Sequence, residues 1–380
     1  MSGNEQKYGK FQEEPAVDLS RIVDPLCSWY DVRKRDLPWR RDREPYHIWV
    51  SEIMLQQTRV EAVKPFYERF LRELPTVNDL AVCGEERLMK LWEGLGYYSR
   101  VRNMQAAARQ IMEEQGGIFP DNKEELLKLK GIGAYTAGAI ASIAFGEPVA
   151  AVDGNVLRVI TRLEMDARDI MKQSVRTEFD RRITRALRKK CAAGASSPSA
   201  FNQGMMDLGA GVCLPNAAPL CEECPLSSFC QAHANGVETD YPKKKGAKPR
   251  RIENRTVLLI RDGERILIRK REKKGLLAGL WEFPNPEGHL DRDEAVSYAA
   301  GLGLEPVRIR ELAPARHIFS HIEWHMTGYE IRVASFGEEA EQPYVLIDTE
   351  QVRREYAIPT AFSAYYNWLA KHGANADADV

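Results

Sequence analysis

Between Leu126 and Ala144, two helix-like runs are separated by Gly131-Ile132-Gly133, and this spacing leaves the backbone few choices. Leu126, Leu127 and Leu129 end one apolar helix face. Gly131 and Gly133 permit dihedrals that a β-carbon resists. Thr136 to Ala144 then resumes with Ala, Gly and Ile, small enough for close helix packing. The pattern predicts a helix–hairpin–helix. Such a turn aims backbone N–H groups outward at a helix start, where an anion such as a DNA phosphate can sit. A plain αα-hairpin closed by two glycines would read the same way. Twenty residues beyond Gly133 stands Asp153, flanked by Val152, Gly154 and Asn155 and followed by Val-Leu-Arg-Val. A carboxylate there is either a helix N-cap or a catalytic group aimed at a sugar that the hairpin holds.

The hairpin sits in a helical context. Residues 19–30 carry apolar side chains at helical spacing. Ser51 can cap a helix carrying Glu52 to Thr58, Pro65 suits the first turn of the next, and short helices follow near 77–82 and 85–92. Gly94-Leu95-Gly96-Tyr97-Tyr98 is a second glycine-punctuated loop, after which Ser99 starts a helix that Gly116-Gly117 stops. About six helices are expected between 38 and 150, with no strand signal. Val156–Leu163, Val175–Cys191 and Phe201–Leu208 extend the helical pattern to about 236. Residues 237–252 read as a linker by their Pro, Gly and charge. The period then changes. Thr256–Ile260 and Arg265–Arg271, joined at Asp262-Gly263, read as a hairpin. Trp281–Pro284, Ser320–Val333 and Tyr344–Ile347 read as further strands, and Arg292–Gly301 and Pro359–His372 as helices. This is a separate α+β domain.

Composition agrees with two or three globular domains: 380 residues, 44% hydrophobic and 29% charged. No apolar run is long enough for a membrane span and no secretory leader is visible, so an intracellular, cytoplasmic protein is expected. The first seventeen residues are polar and expected to be disordered. The net charge is −1, so any nucleic-acid partner must show as local patches. Basic runs at 181–190 and 243–251 fit a solvated helix face and a soluble linker equally well.

Seven cysteines are unevenly placed. Cys27, Cys83 and Cys191 are scattered and read as buried thiols, whereas Cys213, Cys221, Cys224 and Cys230 crowd into eighteen positions. In an intracellular chain this favours a metal over disulfides. Four thiolates with one tight pair suit a [4Fe-4S] cluster ahead of a structural zinc, whose sites usually use two tight pairs.

Several motifs now stand in order: Leu37-Pro38-Trp39-Arg40, Val50 to Val60 with Glu52, Gln57 and Thr58, Trp92 to Arg100 with Leu95 and Tyr97, the hairpin, Val152 to Val156, and Phe201-Asn202-Gln203. Over roughly residues 20–235 they resemble the helix–hairpin–helix DNA glycosylase superfamily with an iron–sulfur loop, and within it the MutY-type adenine glycosylases. The resemblance implies a mainly α fold, a six-helix barrel (38–150) beside an iron–sulfur cluster domain (18–37 and 151–236), then a linker (237–252), an α+β Nudix-like domain (253–372) and a tail (373–380). It implies a monomer that removes adenine opposite 8-oxoguanine or guanine from double-stranded, nucleoid DNA.

By the same resemblance, Glu52 is the general acid for the leaving base and Asp153 stabilises the sugar cation. Breaking an N-glycosidic bond independently calls for two carboxylates in different protonation states. Tyr135 and Asn155 position Asp153 and the nucleophile. Gln57, Thr58, Leu95 and Tyr97 probe and wedge the strand opposite the flipped base. Arg40 and Gln203 line the adenine pocket. Related bifunctional enzymes of the endonuclease III type carry a Schiff-base lysine where this chain has Tyr135, which favours a monofunctional enzyme. The cysteine loop departs from the family by one residue, with seven between Cys213 and Cys221 instead of six.

Trp281-Glu282-Phe283-Pro284 matches a Nudix strand, yet the 293–300 segment lacks the glutamates that bind magnesium in Nudix hydrolases. A nucleotide pyrophosphatase is therefore disfavoured, as is a non-enzymatic iron–sulfur DNA binder, given Glu52 and Asp153. What remains is a recognition module in which Phe319, Ser320 and His321 are placed to read the lesion. His317, His321 and His325 are spaced for a helical metal face, but their surroundings read as loop and strand.

Overall fold

The computed structural model describes residues 17–194, 197–243, 249–334 and 343–372. The expected tails lie outside these residues, Val17 excepted, as does most of the basic run at 243–251. Helices α1 (Val23–Arg33), α2 (Pro45–Leu55), α3 (Val60–Glu73), α4 (Val77–Val82), α5 (Glu85–Trp92), α6 (Ser99–Gln115), α7 (Lys123–Leu126), α8 (Ala134–Ala144), α9 (Gly154–Glu164), α10 (Gln173–Ala192), α11 (Pro198–Gly211) and α12 (Gln231–Ala234) precede the first strand. By contacts the chain divides into two compact units, residues 1–56 with 110–246 and residues 57–109 with 247–380.

In the first unit the hairpin forms, but only one of its two glycines takes a conformation that a β-carbon resists. Leu126 and Leu129 are buried, Gly131 takes φ +76°, and Gly133 caps α8 from extended backbone. Leu127, by contrast, points to solvent. The small residues of α8 allow a very close approach: a β-carbon on Gly138 would stand 2.1 Å from the carbonyl oxygen of Ala150. Asn202 of α11 secures the same stretch. Its amide donates to Ser142 Oγ and Val149 O at 2.9 Å each, and its carbonyl accepts the Ala151 N–H at 3.0 Å. The segment entering Asp153 is thus held by two helices. One core cluster joins α1, α9, α10 and α11 through Leu26, Ile160, Phe179, Ile183, Phe201 and Met205, and three of the four crowded cysteines pack against it.

Two helix starts differ from the sequence expectation. Ser51 does not cap a helix: α2 begins at Pro45, and the Ser51 hydroxyl donates to Ile48 O within it. Ile48, Trp49, Val50 and Ile53 are all buried, so α2 has no polar face to mark its span. Pro65 lies inside α3 and not in its first turn.

The second unit contains a mixed six-stranded sheet of β1 (Arg251–Asp262), β2 (Arg265–Lys270), β3 (Trp281–Glu282), β4 (Pro306–Ile318), β5 (Ile322–Val333) and β6 (Tyr344–Asp348). The order is β3-β2-β1-β5-β4, with β6 on β2, and among the described residues only β1 and β5 pair in parallel. One face is covered by α13 (Arg292–Gly301), the other by the 3-10 turn Thr360–Phe362 and α15 (Ser363–His372). Gly328 makes the second packing possible, since a β-carbon there would meet the Tyr365 ring at 2.2 Å. β4 and α14 (Thr349–Glu355) were not anticipated, the expected strand from Ser320 starts at Ile322, and β3 is shorter than the predicted Trp281–Pro284. His317 and His325 lie on adjacent strands with His321 in the turn between them, so the three do not form a helical face.

Candidate active site

Glu52 projects from the last turns of α2, where its neighbours in sequence are buried, and it is itself only 5% exposed. The Tyr135 hydroxyl, from the first turn of α8, donates to its Oε2 at 2.5 Å. Burial is the main force on this carboxyl and lifts its pKa to about 7. Nearby Asp153 pushes the same way, while the Tyr135 hydrogen bond and the Arg40 charge oppose it. Tyr135 is held far above its usual range by burial, then by Glu52 and Asp153, so it stays a neutral donor.

Asp153 does cap α9: its Oδ1 accepts the Val156 N–H at 2.8 Å. Its Oδ2 accepts from the Asn155 amide at 2.8 Å. Burial raises its pKa, opposed by these donors and by Arg158. Donors and a helix N-terminus favour the charged form of a carboxylate, so of the two acids Glu52 is better suited to hold a proton. Asn155 is fixed in turn, accepting from Arg158 Nη2 at 2.9 Å, while Arg158 also donates to Gly209 O at 2.6 Å and Cys213 O at 2.8 Å. Gly209 is required here, because a β-carbon would lie 2.5 Å from that of Asn155. Arg158 and Gly209 were missed from sequence. The signal for Arg158 was its position three residues after Asn155 on one helix face.

Arg40 and Gln203 line a polar cavity of about 540 Å³. Arg40 is gripped by buried Asp207 through bonds of 2.7 and 3.0 Å, and Arg35 shares that carboxylate. Gln203 donates to Ser199 Oγ. Asp207 was another residue the sequence reading passed over.

In the second unit, Gln57 and Tyr97 have φ of +59° and +47°, a left-handed conformation that non-glycine residues uncommonly adopt. Gln57 and Tyr97 are exposed, Thr58 is partly so, and Leu95 is buried. Leu95, Tyr97, Phe319, Ser320 and His321 come together in a cavity of about 410 Å³. There the Tyr97 and Ser320 hydroxyls lie 3.1 Å apart. Phe319 packs edge-on against Trp324 and His317, with centroids 5.0 and 4.6 Å away. In α13, Glu294 is engaged in a capping box with Asp291.

The four crowded cysteines are all free thiols, and Cys191 is half-buried while Cys27 and Cys83 are buried. Cys221 and Cys224 bracket a 3-10 turn and Cys230 ends another. Burial pushes the Cys224 thiol up to about 12, with Cys213, Cys230 and Cys221 each adding to the rise, so the four lie near one another. Arg162 Nη1 lies 3.1 Å from Cys213 Sγ, a contact that suits a thiolate. This donor set fits a thiolate-bound metal centre. His233 and Glu238 also approach Cys221, with all three ligand atoms within 4.8 Å of one another.

No helix among the described residues is long and apolar enough to cross a membrane. Residues 50–185 match the HhH-GPD superfamily of base excision DNA repair proteins, and residues 256–368 match the NUDIX domain. The adenine DNA glycosylase of Homo sapiens is 38% identical over 384 residues, covering 85% of this chain and 68% of that one. That of Buchnera aphidicola subsp. Baizongia pistaciae is 32% identical, covering 78% of this chain and 82% of its own. A solved thermostable thymine-DNA glycosylase is 28% identical with a TM-score of 0.49, covering 57% of this chain and 97% of that one. Identity of this depth runs through the helical part and on into the strands, and the chain belongs to the adenine DNA glycosylase family.

Proposed function

We propose that the chain releases adenine standing opposite 8-oxoguanine or guanine in duplex DNA, as a monofunctional glycosylase that leaves the strand uncut. The observation that carries this reading is the buried Glu52 carboxyl, lifted to about 7, bonded to Tyr135 and within electrostatic reach of the Asp153 N-cap. A group titrating near the working pH is the best general acid. Glu52 gives its proton to the adenine ring as the N-glycosidic bond breaks. Asp153, ionised, holds the positive charge on the sugar, by electrostatics or through a transient covalent bond. Water then adds its hydroxyl to the sugar carbon, and its proton returns to the carboxylate pair. Tyr135 and Asn155 hold the two acids in register.

On the same reading, the N–H groups around Gly131 and Gly133 take a phosphate, and Arg40 and Gln203 line the base pocket. Gln57, Thr58, Leu95 and Tyr97 probe the opposite strand, and Phe319, Ser320 and His321 read the lesion. Cys213, Cys221, Cys224 and Cys230 would hold a [4Fe-4S] cluster, which supplies a structural cross-link there; zinc is the alternative. The functional division remains a cluster domain (18–37 and 151–236), a barrel (38–150), a linker (237–252) and a recognition domain (253–372), working as a monomer on nucleoid DNA.

The test is incubation with duplexes holding adenine opposite 8-oxoguanine or guanine, followed by base-release analysis. Free adenine with strands that break only after alkali supports the reading. Nicking without alkali would make the enzyme bifunctional, and no release from either duplex would end the proposal.

A further inference from the structure

We propose that Lys90 and Glu93 set the discrimination between 8-oxoguanine and guanine, as positioning residues that hold two walls of the Tyr97–Ser320 cavity at a fixed spacing. The inference rests on the reading of Ser320 given above. The cavity's walls come from segments far apart in sequence: the loop 94–98 with Ser99 and Arg102, the segment 275–278, and 317–322 with 359–361, of which the first and last are the two walls in question. Nothing covalent fixes their separation.

Glu93 stands where the first wall begins, directly after α5. Its Oε1 accepts the N–H of Ile358 at 2.8 Å, the residue before Pro359 and hence the start of the second wall. One turn earlier, Lys90 donates to the carbonyl of Tyr356 at 3.0 Å and pairs with Glu93 Oε2 at 2.7 Å. Both side chains are largely buried, 18% and 24% exposed. Charge-assisted hydrogen bonds of this kind are stronger than neutral ones. Glu86, a turn further back, adds Trp281 Nε1 at 2.8 Å and Lys270 Nζ at 2.5 Å, and Trp281 stacks edge-on with Tyr356 at 4.8 Å.

From the clamp the packing runs on to the reading residue. The segment that Glu93 grips leads into the turn Thr360–Phe362, Phe362 packs on Trp324 at 5.8 Å, and Trp324 packs on Phe319, next to Ser320. Tyr97, four residues after Glu93, meets the Ser320 hydroxyl from the other wall. Guanine and 8-oxoguanine differ by an oxygen at C8 and a hydrogen at N7. Telling them apart requires a hydroxyl placed to within about 0.5 Å.

The experiment measures single-turnover adenine release by the full chain from the two duplexes. Lys90→Met and Glu93→Leu should each lower the ratio of the two rates by roughly ten-fold, about the worth of one charge-assisted hydrogen bond, mainly by slowing the 8-oxoguanine duplex. Lys90→Arg keeps a donor for Tyr356 and should stay near wild type. The exchange Lys90→Glu/Glu93→Lys restores an ion pair but sets a carboxylate against the Tyr356 carbonyl and an ammonium against the Ile358 N–H. It should be as impaired as either single variant, and recovery would overturn the proposal by reducing the pair to an ordinary salt bridge. If Glu93→Leu does not fold, Lys90→Met and the exchange carry the test. Ser320→Ala separates the two readings. A ratio that falls with Ser320→Ala but holds in the clamp variants removes the clamp and keeps Ser320. A ratio unmoved by Ser320→Ala removes both.

Discussion

Replacing Glu52 by Gln should stabilise the folded protein above neutral pH while nearly abolishing base release. The carboxyl moves from an ordinary 4.5 to about 7 on folding because burial favours its neutral form. Below 4.5 it is neutral in both folded and unfolded chains, and its full contribution to stability is present. As pH rises through 4.5 the unfolded chain ionises first, and stability is lost until the folded carboxyl ionises near 7. At about 1.4 kcal/mol per pKa unit the loss is on the order of 3 kcal/mol. Gln has the same shape and no charge at any pH. Urea unfolding at pH 4.5, 6 and 8 should therefore show two proteins of similar stability at the lowest pH, with the variant pulling ahead as pH rises. The same variant should bind the mispaired duplex yet release adenine about 10²–10⁴-fold more slowly, because it has no proton to give. Parallel stability curves across that range, or near-normal release, would refute the reasoning that a buried neutral carboxyl performs the chemistry.

Tyr135→Lys should gain weak strand nicking, measured as a borohydride-trapped adduct with DNA. Glu52, 2.5 Å from the present hydroxyl, will favour the charged ammonium and keep the activity low; a folded variant with no adduct counts against the assignment of position 135. Gly209→Ala should slow release roughly 10- to 100-fold at unchanged DNA affinity, because its methyl group displaces Asn155 and with it Asp153; a wild-type rate would show that Asn155 does not orient the acid. Anaerobically purified protein should be brown, and Cys224→Ser should lose iron and bind DNA less tightly. A colourless protein with one zinc would replace the cluster assignment.

The hairpin was legible because Gly131 needs a left-handed φ. Asp153 as cap and candidate catalyst was legible too: both roles use the same carboxylate at the same helix start. The start of α2 was not, since a helix buried all round shows no period and Ser51 imitates a cap. β4 was hidden because an edge strand with both faces largely exposed alternates charges where a buried strand would show Val and Ile. The meeting of Tyr97 with Ser320 spans 223 residues, and no local pattern records a contact of that range.

The second unit is discontinuous along the chain, made of residues 57–109 and 247–380 with 110–246 synthesised in between. At ribosomal speeds of about 5–20 residues per second, α5 emerges roughly 8–32 s before the sheet that supplies Lys270 and Trp281 to Glu86 begins to appear. During that interval Glu86, Lys90 and Glu93 lack Lys270, Trp281, Tyr356 and Ile358, and α5 is an eight-residue helix, below the length at which helices are stable alone. The ties from Lys90 and Glu93 to Tyr356 and Ile358 therefore form late, when residues 247–380 close on the segment bearing the loop 94–98. A chain cut short before Arg251 leaves it in that early state, so the final domain's part in lesion reading is better isolated by point substitutions than by its removal.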